Sequence, residues 1–107
     1  MQTTEHTHSA TPAHQVLQRV DSERLRQAIA RLASFGGRED GGVARETLTD
    51  IDLEARRDLV AQARAMGCEV EIDDCANLFF RRPGRSNLPP VMTGSHVDTQ
   101  PVGGQLD

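Results

Sequence analysis

The chain has 107 residues, of which 36% are hydrophobic and 3% aromatic, with three Phe, no Trp and no Tyr. This length allows one domain at most, or a piece of a larger one, and a core without large rings is a poor basis for stability in isolation. The net charge of −4 argues against nucleic acid or an anionic membrane surface as the main partner.

All twelve basic residues are Arg, a compositional bias to which no functional weight attaches. Cys68 and Cys75 match no metal or redox spacing. The first fourteen residues lack the basic and apolar regions of a secretory signal, and no stretch is apolar enough to span a bilayer. The expected compartment is therefore the cytoplasm, with both thiols reduced.

Residues 1–20 are expected to form a disordered tail of Thr, His, Gln, Ser and Pro with little to bury. Its histidines, His6, His8 and His14, have no rigid neighbours and read as solvated side chains. Organisation begins at Asp21-Ser22, either of which can cap a helix with Glu23 in its first turn. Leu25, Ile29, Leu32 and Ala33 place one apolar stripe on that helix, and Gly36-Gly37 ends it. The glycine-rich stretch from Gly36 to Arg45 has no phosphate-loop signature, so it reads as a connecting loop carrying Arg38, Glu39 and Asp40.

A second helix starts at Thr49, where Thr49-Asp50-Ile51-Asp52 has the form of a capping box with Asp in place of Glu or Gln. Its expected buried face is Leu59, Val60, Ala63 and Met66, with Arg56, Arg57 and Arg64 in water and Gly67 as the stop. Cys68 to Asp73 alternates at period two and Leu78 to Arg82 follows a turn at Asp74–Asn77, which predicts a hairpin. After a Pro- and Gly-bearing loop, Val91-Met92-Thr93-Gly94 suits a short buried strand. The predicted class is α/β: two helices, a β-hairpin, then a buried strand that leads to a metal motif.

That motif begins with His96, at the end of the predicted strand, where α/β enzymes place functional side chains. Imidazole is the commonest nitrogen ligand for zinc-like cations, and its second ring nitrogen needs a partner to fix its direction. Asp98, two residues on along an extended chain, can supply that partner. Asp107 follows a Pro-Val-Gly-Gly turn that can bring a second oxygen ligand back, and a carboxylate can bridge two metals.

The string Met92-Thr93-Gly94-Ser95-His96-Val97-Asp98-Thr99-Gln100-Pro101, with Gly103-Gly104 and Asp107, resembles the first metal motif of the N-carbamoyl-L-amino-acid hydrolases. These are grouped with β-ureidopropionases and allantoate amidohydrolases in the aminoacylase and carboxypeptidase superfamily of dinuclear metallohydrolases. The likeness extends upstream through Leu48-Thr49-Asp50, Glu54-Ala55-Arg56, Met66-Gly67-Cys68, Asp73, Asn77-Leu78-Phe79 and Arg82-Pro83-Gly84, covering about residues 20–107. The resemblance implies His96 and Asp107 as metal ligands, Asp107 bridging both metals, and Asp98 as the catalytic-site carboxylate that orients His96. Two departures from the family pattern leave these ligands untouched. Cys75-Ala76 stands where a small residue and Gly are usual, and Gln105-Leu106 where a basic residue and Phe are common.

The resemblance further implies two divalent metals per full-length site (zinc, manganese, cobalt or nickel), a small N-carbamoyl-amino acid or ureido acid as substrate, and a homodimer. Residues 21–107 would then be the N-terminal portion of a catalytic domain. The general-base Glu pair, two further His ligands and a lid domain with the substrate-carboxylate Arg would lie beyond it. Such a piece is expected to be inactive alone, since a catalytic zinc wants three protein ligands and water. A non-catalytic module, or an allantoate amidohydrolase or aminoacylase-type peptidase, is the alternative.

Overall fold

The computed structural model describes residues 12–106; His6, His8 and Asp107 lie outside the described residues. Helix α1 (Ala13–Leu17) is a single turn starting after Pro12. It falls within residues 1–20, the segment expected to be a disordered tail, and it buries none of its own residues.

Helix α2 (Ser22–Ser34) starts where Asp21 accepts the Arg24 amide at 2.9 Å, the cap expected from sequence. Helix α3 (Asp50–Ala65) is capped by Thr49, whose Oγ1 accepts the Asp52 amide at 3.3 Å. Asp52 answers by accepting the Leu48 amide at 3.2 Å, so the box closes one residue upstream of the cap. At its other end the Cys68 amide reaches the Ala63 carbonyl and the Gly67 amide the Arg64 carbonyl, both at 2.9 Å, with Gly67 at φ 78°. That pattern closes the helix because glycine enters left-handed space without a Cβ clash. A forked ion pair joins the helices: Arg31 donates Nε to one Asp58 oxygen at 2.9 Å and a terminal nitrogen to the other at 2.5 Å.

Strands β1 (Glu69–Ile72) and β2 (Leu78–Arg81) pair antiparallel, with Glu69 opposite Arg81 and Ile72 opposite Leu78. The connection is organised by Asp73, whose Oδ1 accepts the Cys75 and Asn77 amides at 3.0 and 2.8 Å. Arg56 is half-buried rather than fully in water, because it reaches from α3 to the Ala76 carbonyl of this turn.

The buried apolar residues are small: Ala33, Val43, Ala55 and Ala63. Two expectations are corrected here. Met66, placed on the buried face of α3, is 67% exposed, and Leu25 of the α2 stripe is likewise exposed. Val91-Met92-Thr93-Gly94 is not a buried strand. It forms no ladder, and Val91 and Met92 are 101% and 81% exposed. Apolar residues mark surface that favours burial, but burial also needs a covering layer. Among the described residues the only strands are those of the hairpin, so nothing pairs with 91–94 or covers it. No helix of the described residues is long and apolar enough to cross a membrane.

Candidate metal centre

The loop from Gly36 to Arg45 forms the seat on which the His96 segment rests. Val43 makes isolated bridges to Gly37 on one side and Gly103 on the other, with its amide 2.9 Å from the Gly103 carbonyl. Thr99, buried, exchanges bonds with Arg45 in both directions. The Thr99 amide donates to the Arg45 carbonyl, and the Arg45 amide donates to Thr99 Oγ1, both at 2.9 Å. Thr99 Oγ1 has the Val43 carbonyl at 3.1 Å and the Gln100 carbonyl at 2.9 Å as acceptors for its single proton. Arg38 adds a bond to the Pro101 carbonyl at 3.4 Å. In the sequence Thr99 figured only as a member of the motif string, and Arg45 only as the end of a loop.

His96 and Asp98 are in contact. His96 Nδ1 lies 2.9 Å from the Asp98 carbonyl oxygen and 3.2 Å from its Oδ1. A backbone carbonyl accepts only, and so does an ionised carboxylate. Nδ1 must therefore carry the proton, which leaves Nε2 of the neutral ring with its lone pair free to coordinate. The ring is mostly exposed, so Nε2 is not sealed off.

The Asp98 carboxyl sits below the usual carboxylate range, first because Thr47 hydrogen-bonds to it and then because His96 does. A depressed folded-state value favours the ionised form. The resulting stabilisation is complete above the unfolded carboxylate value, about 3.9, and is lost as pH falls through the lower folded value. Carbon-detected NMR titration of Asp98 should show this. Thr47→Val is expected to raise the midpoint towards the ordinary value, and an unmoved midpoint would show that the Thr47 contact does not operate.

His96 supplies one nitrogen of the right chemistry for a zinc-like cation, and Asp98 the second partner such a ligand needs. No group of three or more His, Cys, Asp or Glu side chains converges among the described residues. Asp107, the other expected ligand, lies outside them. The structure thus presents one oriented imidazole, not a closed site.

No family model matches the chain. It is 39% identical over 90 residues to an N-carbamoyl-L-amino-acid amidohydrolase of Rhizobium meliloti, an alignment covering 83% of this chain and 22% of that protein. It is 37% identical over 89 residues to a ureidoglycolate hydrolase of Oryza sativa subsp. japonica, covering 82% of this chain and 18% of that one. The crystal structure of an amidase of the hydantoinase/carbamoylase family from Burkholderia multivorans superposes with a TM-score of 0.77 at 44% identity, covering 80% of this chain and 21% of the other. The chain therefore spans about a fifth of the length of the relatives it matches. Over about four-fifths of its own length, its homologues are N-carbamoyl-L-amino-acid and allantoate amidohydrolases and hydantoinase/carbamoylase-family amidases.

Proposed function

We propose that these residues supply the first ligand and its support in a dinuclear metal site of an amidohydrolase. Its reaction is hydrolysis of the carbamoyl C–N bond of an N-carbamoyl-amino acid, in which one water yields the amino acid, carbon dioxide and ammonia. The observation that carries this reading is the His96 ring with Nδ1 held by Asp98 and Nε2 left to coordinate. His96 and Asp107 would hold divalent metal (zinc, manganese, cobalt or nickel). Bound metal supplies a water of lowered pKa, near 7 for zinc. Asp98 keeps the proton on Nδ1, Thr47 keeps Asp98 ionised, and the Arg45–Thr99 pairing holds the segment that carries both. The chain's own residues do no more than this, so the 107-residue chain alone is expected to show no turnover and only weak metal binding.

A relative named ureidoglycolate hydrolase supports ureido acids as the second substrate class. The test is to express the natural reading frame that contains these residues. Ammonia release is then followed from N-carbamoyl-L-amino acids, ureidoglycolate and allantoate, with and without a chelator. Chelator-sensitive release is expected, with N-carbamoyl-amino acids preferred. Absence of release from all three, with metal supplied, would sink the reading.

A further inference from the structure

We propose that Arg45 is the positioning residue of the His96–Asp98 pair. Its buried guanidinium pins the chain beside Asp98, and that pinning keeps the proton on His96 Nδ1. The inference rests on the reading of His96 as a ligand, and it concerns a residue to which the metal motif itself assigns no role.

Order reaches His96 from one side of the chain only. From Pro83 to Ser95 the chain makes no backbone–backbone hydrogen bond among the described residues, and 91–96 is exposed. Nothing upstream therefore fixes the histidine. Downstream, both peptides flanking Asp98 are held by one residue. Arg45 Nε donates to the Val97 carbonyl at 3.0 Å, and the Arg45 backbone pairs with Thr99 on the other side. The same guanidinium donates to the Leu32 and Phe35 carbonyls at 2.8 and 2.6 Å, at the end of α2. The Leu32 carbonyl also accepts the Phe35 amide at 3.3 Å, and a cation is favoured at that pole of a helix.

Arg45 is only 4% exposed, and a charge so buried persists only if it is paired. Burial lowers its pKa, while the negative charges of Asp52 and Asp98 raise it. The group thus ties three points together: the end of α2, the carbonyl next to His96, and the charge of Asp98. A guanidinium donates in several fixed directions at once, which an ammonium on a flexible stem does not reproduce.

The experiment uses the 107-residue chain labelled with 15N-histidine at pH 8, with His96→Ala identifying the His96 ring signals. Long-range nitrogen–proton correlation reads which nitrogen is protonated. The native chain is expected to show the Nδ1–H form. Arg45→Met should lower the ratio of Nδ1–H to Nε2–H about tenfold, equivalent to about 1.4 kcal/mol, the order of one net hydrogen bond. Arg45→Lys should fall between the two. If Arg45→Met loses its helical circular dichroism, Thr99→Val, which cuts the other half of the clamp, carries the same expectation.

A native tautomer ratio in whichever of these variants stays folded would overturn the proposal. So would an equal loss in Ala63→Gly, which loosens α3 away from the clamp, because Arg45 would then be general scaffold. The readout needs neither metal nor turnover. Failure of the amidohydrolase reading would leave it unaffected, and an unchanged ratio would overturn it in a fully active enzyme.

Discussion

Replacing His96 by Ala in a longer protein that carries these residues is expected, on the proposed metal-site reading, to cut kcat/KM by well over 100-fold and to lower the metal bound per protein. The ring is largely exposed and, among the described residues, its hydrogen bonds are to Asp98, two residues away. Its removal opens no core cavity, so folding stability should change by no more than about 0.5 kcal/mol, the range of ordinary surface substitutions. Asp98→Asn should be milder, at about 10–100-fold, because it loosens the ligand without deleting it. An amide can turn either its oxygen or its NH2 towards Nδ1, so the preference for the Nδ1–H tautomer weakens. The ordering is the informative part: His96→Ala below Asp98→Asn, with His96→Ala keeping its native melting temperature. Activity in His96→Ala above a tenth of the original, at saturating metal, would remove His96 from the ligand set.

Much of this architecture was legible because the signals are local. Asp21, Thr49 and Gly67 act within one helical turn of themselves, and the alternation from Cys68 to Asp73 is a property of the strand alone. The His96–Asp98 contact was legible for the same reason, since two residues along an extended chain suffice to form it. Burial was not. Leu25, Met66, Val91 and Met92 have apolar side chains, but what covers a side chain is decided by segments far away in sequence.

Arg45 was invisible for the converse reason. An arginine closing a glycine-rich loop reads as solvated until non-local folding brings three carbonyls to it. One departure from the family pattern acquires a physical meaning. Ala76 has φ 62°, in the left-handed region where glycine is unstrained, so alanine there costs about 1–2 kcal/mol of backbone strain.

The largest stability effect is expected at Gly36→Ala, and it should reach the site. Gly36 has φ 86°, and a Cβ built there would lie 2.2 Å from the Ala44 carbonyl oxygen, a backbone atom that cannot swing aside like a side chain. The same two residues already bond, Ala44 amide to Gly36 carbonyl at 2.9 Å. Relief of the clash therefore has to separate residues 36 and 44. That moves Val43, which bridges to Gly37 and Gly103, and Arg45, which holds Val97 and Thr99. Left-handed strain of about 1–3 kcal/mol adds to the loss of one or more bridge hydrogen bonds at about 1 kcal/mol each. The expected total is about 3 kcal/mol. Gly41 provides the control, since it has φ 83° but nothing within 4 Å of a built Cβ. Gly41→Ala should pay the strain alone and leave the His96 ring signals where they are. Urea unfolding of the two variants separates backbone strain from the close approach of residues 36 and 44. Equal midpoints would mean that this approach does not hold the seat of the His96 segment together. A lower midpoint for Gly36→Ala, with displaced His96 signals, would tie the end of α2 to the direction of the His96 ring.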